Sequence, residues 1–138
     1  MELCGQSHAL MRFEVFVHSQ KEFESWAKSA MNPPQLLSEQ EKRGAEVFNQ
    51  CQSCHTIAGT DSAMIPGTKL GPDLTNFGNR RSLGAVTRSN SLDNIRLWIK
   101  DSSSIKPGSR MPAFKDTLTD QQIDDVASYI RISTAKKF

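Results

Sequence analysis

The sequence predicts a mainly α-helical domain, and three observations predict it. Apolar residues recur at helical spacing behind three helix-start patterns, Ser19-Gln20-Lys21-Glu22, Ser38-Glu39-Gln40-Glu41 and Thr119-Asp120-Gln121-Gln122. In each, a hydroxyl stands three residues before a side chain that reaches back to it, which satisfies backbone N–H groups at a helix start. A single stretch, Arg12 to His18, alternates polar and apolar residues as a half-buried strand does. Cys51-Gln52-Ser53-Cys54-His55 follows directly on the second helix and gives the fold a chemical centre.

That centre has the attachment pattern of a c-type haem, two cysteines two residues apart with a histidine next. The thiols add across the porphyrin vinyl groups as thioethers, and His55 is held under the iron as proximal ligand. A dithiol redox pair or a zinc site is the rival reading. Zinc needs further ligands, yet the one other cysteine, Cys4, is distant and no strand-rich redox pattern precedes the motif. The expected cofactor is therefore one covalent haem c.

The 138 residues suit one domain plus a tail, and the 37% that are hydrophobic gain a large apolar body from the haem. A formal charge of +2 leaves no basic footprint for nucleic acid or a membrane surface. No apolar run nears the roughly 20 residues that span a bilayer. Met1-Glu2-Leu3-Cys4-Gly5 also lacks the basic-then-apolar order of a signal peptide. Thioether attachment takes place outside the cytoplasm, so we expect either export by means the chain does not show or a longer parent protein.

In order along the chain, residues 1–18 place the Cys4 thiol, the His8 imidazole and the Met11 thioether within one short stretch. Soft sulfur with imidazole suits copper; three scattered residues without a metal is the plainer alternative. After the expected strand at 12–18, Phe23, Trp26, Ala27 and Ala30 mark a short amphipathic helix that Asn32-Pro33-Pro34 stops. The next helix runs from Ser38 through Gly44, Val47 and Phe48 into the haem motif. A mid-helix glycine costs roughly 1 kcal/mol against alanine, so Gly44 implies close approach of another helix. Residues 60–69 have no periodicity and read as a surface loop. Asn90 or Ser91 starts a helix with Leu92, Ile95, Trp98 and Ile99 on one face; Trp98 either packs on the haem or donates its indole N–H to a propionate. The last helix carries Ile123, Val126, Ala127 and Ile130 with Tyr129 alongside, and Leu118 and Ile123 form a hydrophobic staple.

For the sixth iron ligand, Met31, Met64 and Met111 are the candidates. Met64 is too close in sequence to His55 to cross to the other haem face. Met111 lies in Lys106-Pro107-Gly108-Ser109-Arg110-Met111-Pro112-Ala113-Phe114, whose prolines and glycine form a stiff extended loop. A methionine is also a common core filler.

Residues 38–138, with Cys51-Gln52-Ser53-Cys54-His55, Leu70-Gly71-Pro72-Asp73-Leu74 and Met111-Pro112, resemble the class I cytochromes c. The resemblance implies crossed N- and C-terminal helices around the haem, with Gly44 and Phe48 meeting Val126 and Tyr129. It also implies that the Pro72 carbonyl accepts a hydrogen bond from the second ring nitrogen of His55, and that Met111 is the sixth ligand. Arg80 or Arg81 is expected to pair with a propionate. Residues 1–18 resemble the end of the copper domain in subunit II of haem-copper oxidases, where a Cys-x-Glu-x-Cys-x-x-x-His-x-x-Met pattern precedes the last strand. Cys4 then resembles a bridging thiolate of the binuclear copper (CuA) centre, His8 and Met11 terminal ligands, and Glu2 a carbonyl ligand. The first cysteine and an upstream histidine fall before Met1, so this half-site is not expected to hold copper here. Together the two resemblances match subunit II of caa-type oxidases: a copper-domain remnant at 1–18, a linker with a short helix at 19–37 and a cytochrome domain at 38–138.

What the resemblance implies for function is one-electron transfer from a soluble donor, a cytochrome or other small redox protein, to the CuA domain and then to subunit I. Methionine ligation raises the potential and closes the iron to dioxygen, so the fragment itself is not expected to be an enzyme. The location is extracytoplasmic, on the periplasmic side, with a membrane only through the parent complex. Gln50, Gln52, Ser53, Thr56, Ile57 and Ala58 are expected on one side of the exposed haem edge. Pro107 to Ala113 stand on the other, and Lys106 and Arg110 are the only charges. Alternatives are a free-standing soluble cytochrome, a haem enzyme or gas sensor without the Met111 bond, and a cytochrome domain of another oxidoreductase.

Overall fold

A computed structural model describes residues 5–30, 38–59 and 70–132. Among the described residues four α-helices carry the architecture: α1 (Gln20–Ala30), α2 (Glu39–Phe48), α3 (Leu92–Ile105) and α4 (Asp120–Ile130). The strands β1 (Ser82–Leu83) and β2 (Arg88–Ser89) form a two-stranded antiparallel ribbon in the register Ser82 to Ser89 and Leu83 to Arg88. This mainly helical fold with one small ribbon is that of a class I cytochrome c.

The helix starts are chemically explicit. Ser38 Oγ accepts from the Glu41 backbone N–H at 3.2 Å while Glu41 Oε2 accepts from the Ser38 N–H at 2.8 Å. Thr119 and Gln122 make the same reciprocal pair at 3.2 and 2.9 Å, and Ser19 and Glu22 do so for α1 at 3.4 and 2.9 Å. Ser91, of the two candidates, is the cap of α3. Leu118 and Ile123, the predicted staple pair, are both buried in the core.

The most extensive contact between elements is α2 against α4. Its closeness has one cause. A Cβ at Gly44 would lie 2.6 Å from the Asp125 carbonyl carbon and 2.7 Å from Tyr129 Cβ, so only glycine lets the backbones meet. One turn on, the Phe48 and Tyr129 rings pack tilted with centroids 5.4 Å apart. Beside them Arg43 grips Asp125 with two bonds, Nε to Oδ2 at 2.8 Å and Nη2 to Oδ1 at 3.1 Å. Asp125 is only 3% exposed; the Arg43 bonds keep its pKa below the ordinary carboxylate value although burial opposes this.

One expected element is absent. Residues 12–18 form no strand, and Phe13, Val15 and Val17 are exposed. Alternation marks a segment able to join a sheet, but a strand exists only when another supplies its ladder. Among the described residues nothing pairs with it. The α1 side chains Phe23 and Trp26 pack on each other at 5.8 Å and remain 50% and 38% exposed. Glu2, Cys4, Met31, Met64, the Pro33-Pro34 stop and the 60–69 loop lie outside the described residues.

Candidate functional site

Successive turns carry the chain from α2 into the site. Cys51 N–H donates to Phe48 O at 2.8 Å, Cys54 N–H to Cys51 O at 3.0 Å and His55 N–H to Cys51 O at 2.9 Å. This coil turns both thiols and the imidazole toward one cavity of about 1540 Å³, which Pro72, Arg80, Trp98 and Met111 also line. The haem motif and four other positions separated along the chain thus meet at one place. Much of the remaining wall is core: Phe48, Leu74, Leu83, Ile95, Ile99 and Val126.

The proximal side is the most tightly specified. Gly71 N–H donates to Cys54 O at 2.9 Å and Leu74 N–H to Thr56 O at 2.8 Å, laying residues 70–74 along the motif. His55 Nδ1 lies 2.8 Å from Pro72 O. A carbonyl only accepts, so Nδ1 carries the proton and Nε2 keeps the lone pair that a metal needs. Gly71 packs flat against the same ring. A Cβ there would lie 2.5 Å from Cε1, 2.7 Å from Nδ1 and 2.9 Å from Nε2 of His55.

The other walls are held by tertiary contacts. Met111 is partly buried and packs against the core. Trp98 leaves no room for a side chain at Gly84, where a Cβ would come within 2.6 Å of the indole ring and φ is +60°. Arg80 donates from Nη2 to Asp73 O at 3.0 Å and lies 5.6 Å from the Phe77 ring centre. Arg81 stacks on Phe16 at 5.3 Å, which brings the N-terminal segment to the cavity mouth, and Ser7 Oγ donates to Pro107 O. Asn79, which the sequence reading missed, also lines the cavity. Both its amide atoms are buried with no partner among the described residues. One expectation fails: Ile57, placed at the haem edge, is a core residue only 2% exposed.

These residues fit a covalent haem. A large flat apolar group with polar edges suits the mostly apolar wall, the two thiols and the imidazole together. The rivals fare worse. Burial, and secondarily the Cys54 thiol, pushes the Cys51 thiol up to about 11, opposite to the lowered pKa of a reactive dithiol. Among the described residues no group of three or more His, Cys, Asp or Glu could hold a metal ion. His8 and Met11 of the copper half-site are described, half-buried and exposed respectively.

A cytochrome c family model matches residues 41–133, and the chain belongs to the cytochrome c family. Membership carries a covalently bound haem. More particularly, the chain is similar to cytochrome c oxidase subunit 2 of Bacillus subtilis (strain 168), at 36% identity over 133 residues. It is similar also to cytochrome c oxidase subunit 2 of Alkalihalophilus pseudofirmus (35% over 136 residues) and of Bacillus sp. strain PS3 (33% over 132). Each match covers 94% of this chain but only 36–37% of the relative's length.

Proposed function

We propose that this chain is the haem-bearing relay of a caa-type oxidase subunit II, with His55 and Met111 as the axial iron ligands. The observation that carries the reading is the pairing of His55 Nδ1 with Pro72 O, which frees Nε2 toward a cavity that Met111 also lines. When bound, the haem supplies a single-electron couple. The chain's own residues anchor it at Cys51 and Cys54, fix the imidazole through Pro72 and Gly71, and shield it with Trp98 and the core. Arg80 and Asn79, which both line the cavity, would supply donors to the propionates. With a methionine in the sixth position no substrate reaches the iron, so the fragment relays electrons and catalyses nothing by itself.

The relatives' matches run over 133 residues, more than residues 38–138 contain, so the likeness reaches the N-terminal segment. This supports reading 1–18 as the end of a copper domain, 19–37 as the link and 38–138 as the haem domain. In that arrangement the electron passes from a soluble donor through the haem to CuA and on to subunit I, on the extracytoplasmic side. Copper belongs to the longer subunit, which would complete the site that Cys4, His8, Met11 and Glu2 begin. Among the described residues no helix is long and apolar enough to cross a membrane; the anchor belongs to the parent subunit in this reading. Tethering would replace a diffusing carrier by a high effective concentration. The test is the ferric holoprotein spectrum. A weak charge-transfer band at the red end, lost in Met111→Ala, supports the reading; its absence from the unsubstituted protein contradicts it.

A further inference from the structure

α3 is not one continuous helix. At Asp101 the backbone is extended (φ −162°, ψ 88°), which breaks the i to i−4 ladder one turn before the helix ends. The break leaves carbonyls for another segment. Phe114 N–H donates to Ile99 O at 3.3 Å and to Lys100 O at 3.1 Å, and Lys115 N–H to Lys100 O at 3.2 Å. The Asp101 carboxylate restarts the last turn, accepting from Ser103 Oγ at 2.7 Å and Ser104 N–H at 3.2 Å, and pairs with Lys115 Nζ at 3.1 Å. The C-terminal end of the methionine loop is thus fastened to the broken helix.

Just beyond the break stands Ser102, which is completely buried. Its Oγ lies 2.8 Å from Ser109 Oγ and 3.3 Å from Met111 O. The Met111 carbonyl can only accept, so Ser102 donates to it and accepts from Ser109. Its own carbonyl accepts from Lys106 N–H at 2.9 Å, which closes the last turn of α3 where the loop begins. A regular helix would have spent the Ile99 and Lys100 carbonyls on itself.

We propose that Ser102 is a positioning residue for the sixth iron ligand, and that the break at Asp101 is the device that turns it and two helix carbonyls toward the Met111 loop. This rests on Met111 being the ligand. The role is to hold the loop against the pull of thermal opening, so that the thioether stays within reach of the iron.

The test uses holoprotein with Ser102→Ala and Ser109→Ala. Ser102→Ala removes the buried hydroxyl that links Ser109 Oγ to Met111 O, and carbon monoxide should bind the ferrous protein about tenfold faster, the scale of one buried hydrogen bond unmade. The midpoint potential should fall, and the Phe114 and Lys115 amides should exchange faster with deuterium. Ser109→Ala keeps the bond to Met111 and should move each readout in the same direction but less, which serves if Ser102→Ala does not fold. Lower thermal stability with unchanged carbon monoxide binding, potential and amide exchange would make Ser102 merely structural and overturn the proposal. Rapid carbon monoxide binding by the unsubstituted protein would instead overturn the ligand assignment, and this role with it.

Discussion

The His55 and Met111 walls of the cavity are built by different means. The His55 wall has few parts. One short coil and the crossing segment 70–74 fix the imidazole, and two neighbouring residues, Gly71 and Pro72, do the work through space and one carbonyl. The Met111 wall is assembled from more parts: a break in α3, a serine pair and backbone bonds from Phe114 and Lys115 back to Ile99 and Lys100 hold the loop. A side chain pinned by close steric contact survives small losses of packing, whereas one held through several linked bonds is the natural place for opening to begin.

The sharpest way to break this contrast is to change each wall in turn. Gly71→Ala places a Cβ 2.5 Å from the His55 ring, so haem incorporation should collapse, read as covalent haem per polypeptide. Met111→Ala should keep its haem, because both thiols and His55 are untouched, yet bind carbon monoxide rapidly. If Met111→Ala failed to acquire haem, the two walls would be equivalent and the contrast would be wrong.

A somewhat smaller effect is expected at the crossing that supports both walls. Gly44→Ala forces α2 away from Asp125 and Tyr129 and should cost about 1–3 kcal/mol in denaturant unfolding of the holoprotein, the range for an overpacked contact. Both readouts of the ligand walls should then shift together.

Acid gives a milder change at the same crossing. The folded pKa of Asp125 is depressed, so its contribution is fully present above the unfolded value of about 3.9. It is lost as pH falls through the lower folded value. Asp125→Asn should therefore be less stable than the unsubstituted holoprotein at neutral pH, and the gap should close as pH falls below about 4. A constant gap across the titration would show that the Arg43 pair contributes nothing through charge. The smallest effect concerns docking. Lys106 directs its ammonium at Gly84 O; with Lys106 and Arg110 the charges expected at the haem edge itself, electron exchange with a small redox donor should vary little with ionic strength.

The contrast between the walls also explains what the sequence made legible. The haem motif and the caps act over a few residues and Gly44 through one steric fact, and such features are written in spacing; the role of Pro72 follows only from the resemblance to class I cytochromes c. Ser102 reads as one of three serines near a helix end; nothing local separates it from its exposed neighbours Ser103 and Ser104. Its burial comes from the loop folding back, a relation between segments. Asn79 is hidden for the same reason. The 12–18 segment errs in the opposite direction, since its alternation is genuine but the ladder it requires must come from elsewhere.

The most direct measurement is the proton NMR spectrum of the ferrous holoprotein. A thioether bound to iron sits over the porphyrin face, so the Met111 methyl should appear far upfield and vanish in Met111→Ala. A spectrum without that resonance, from an intact protein near neutral pH, would contradict the account of a closed iron held between His55 and Met111.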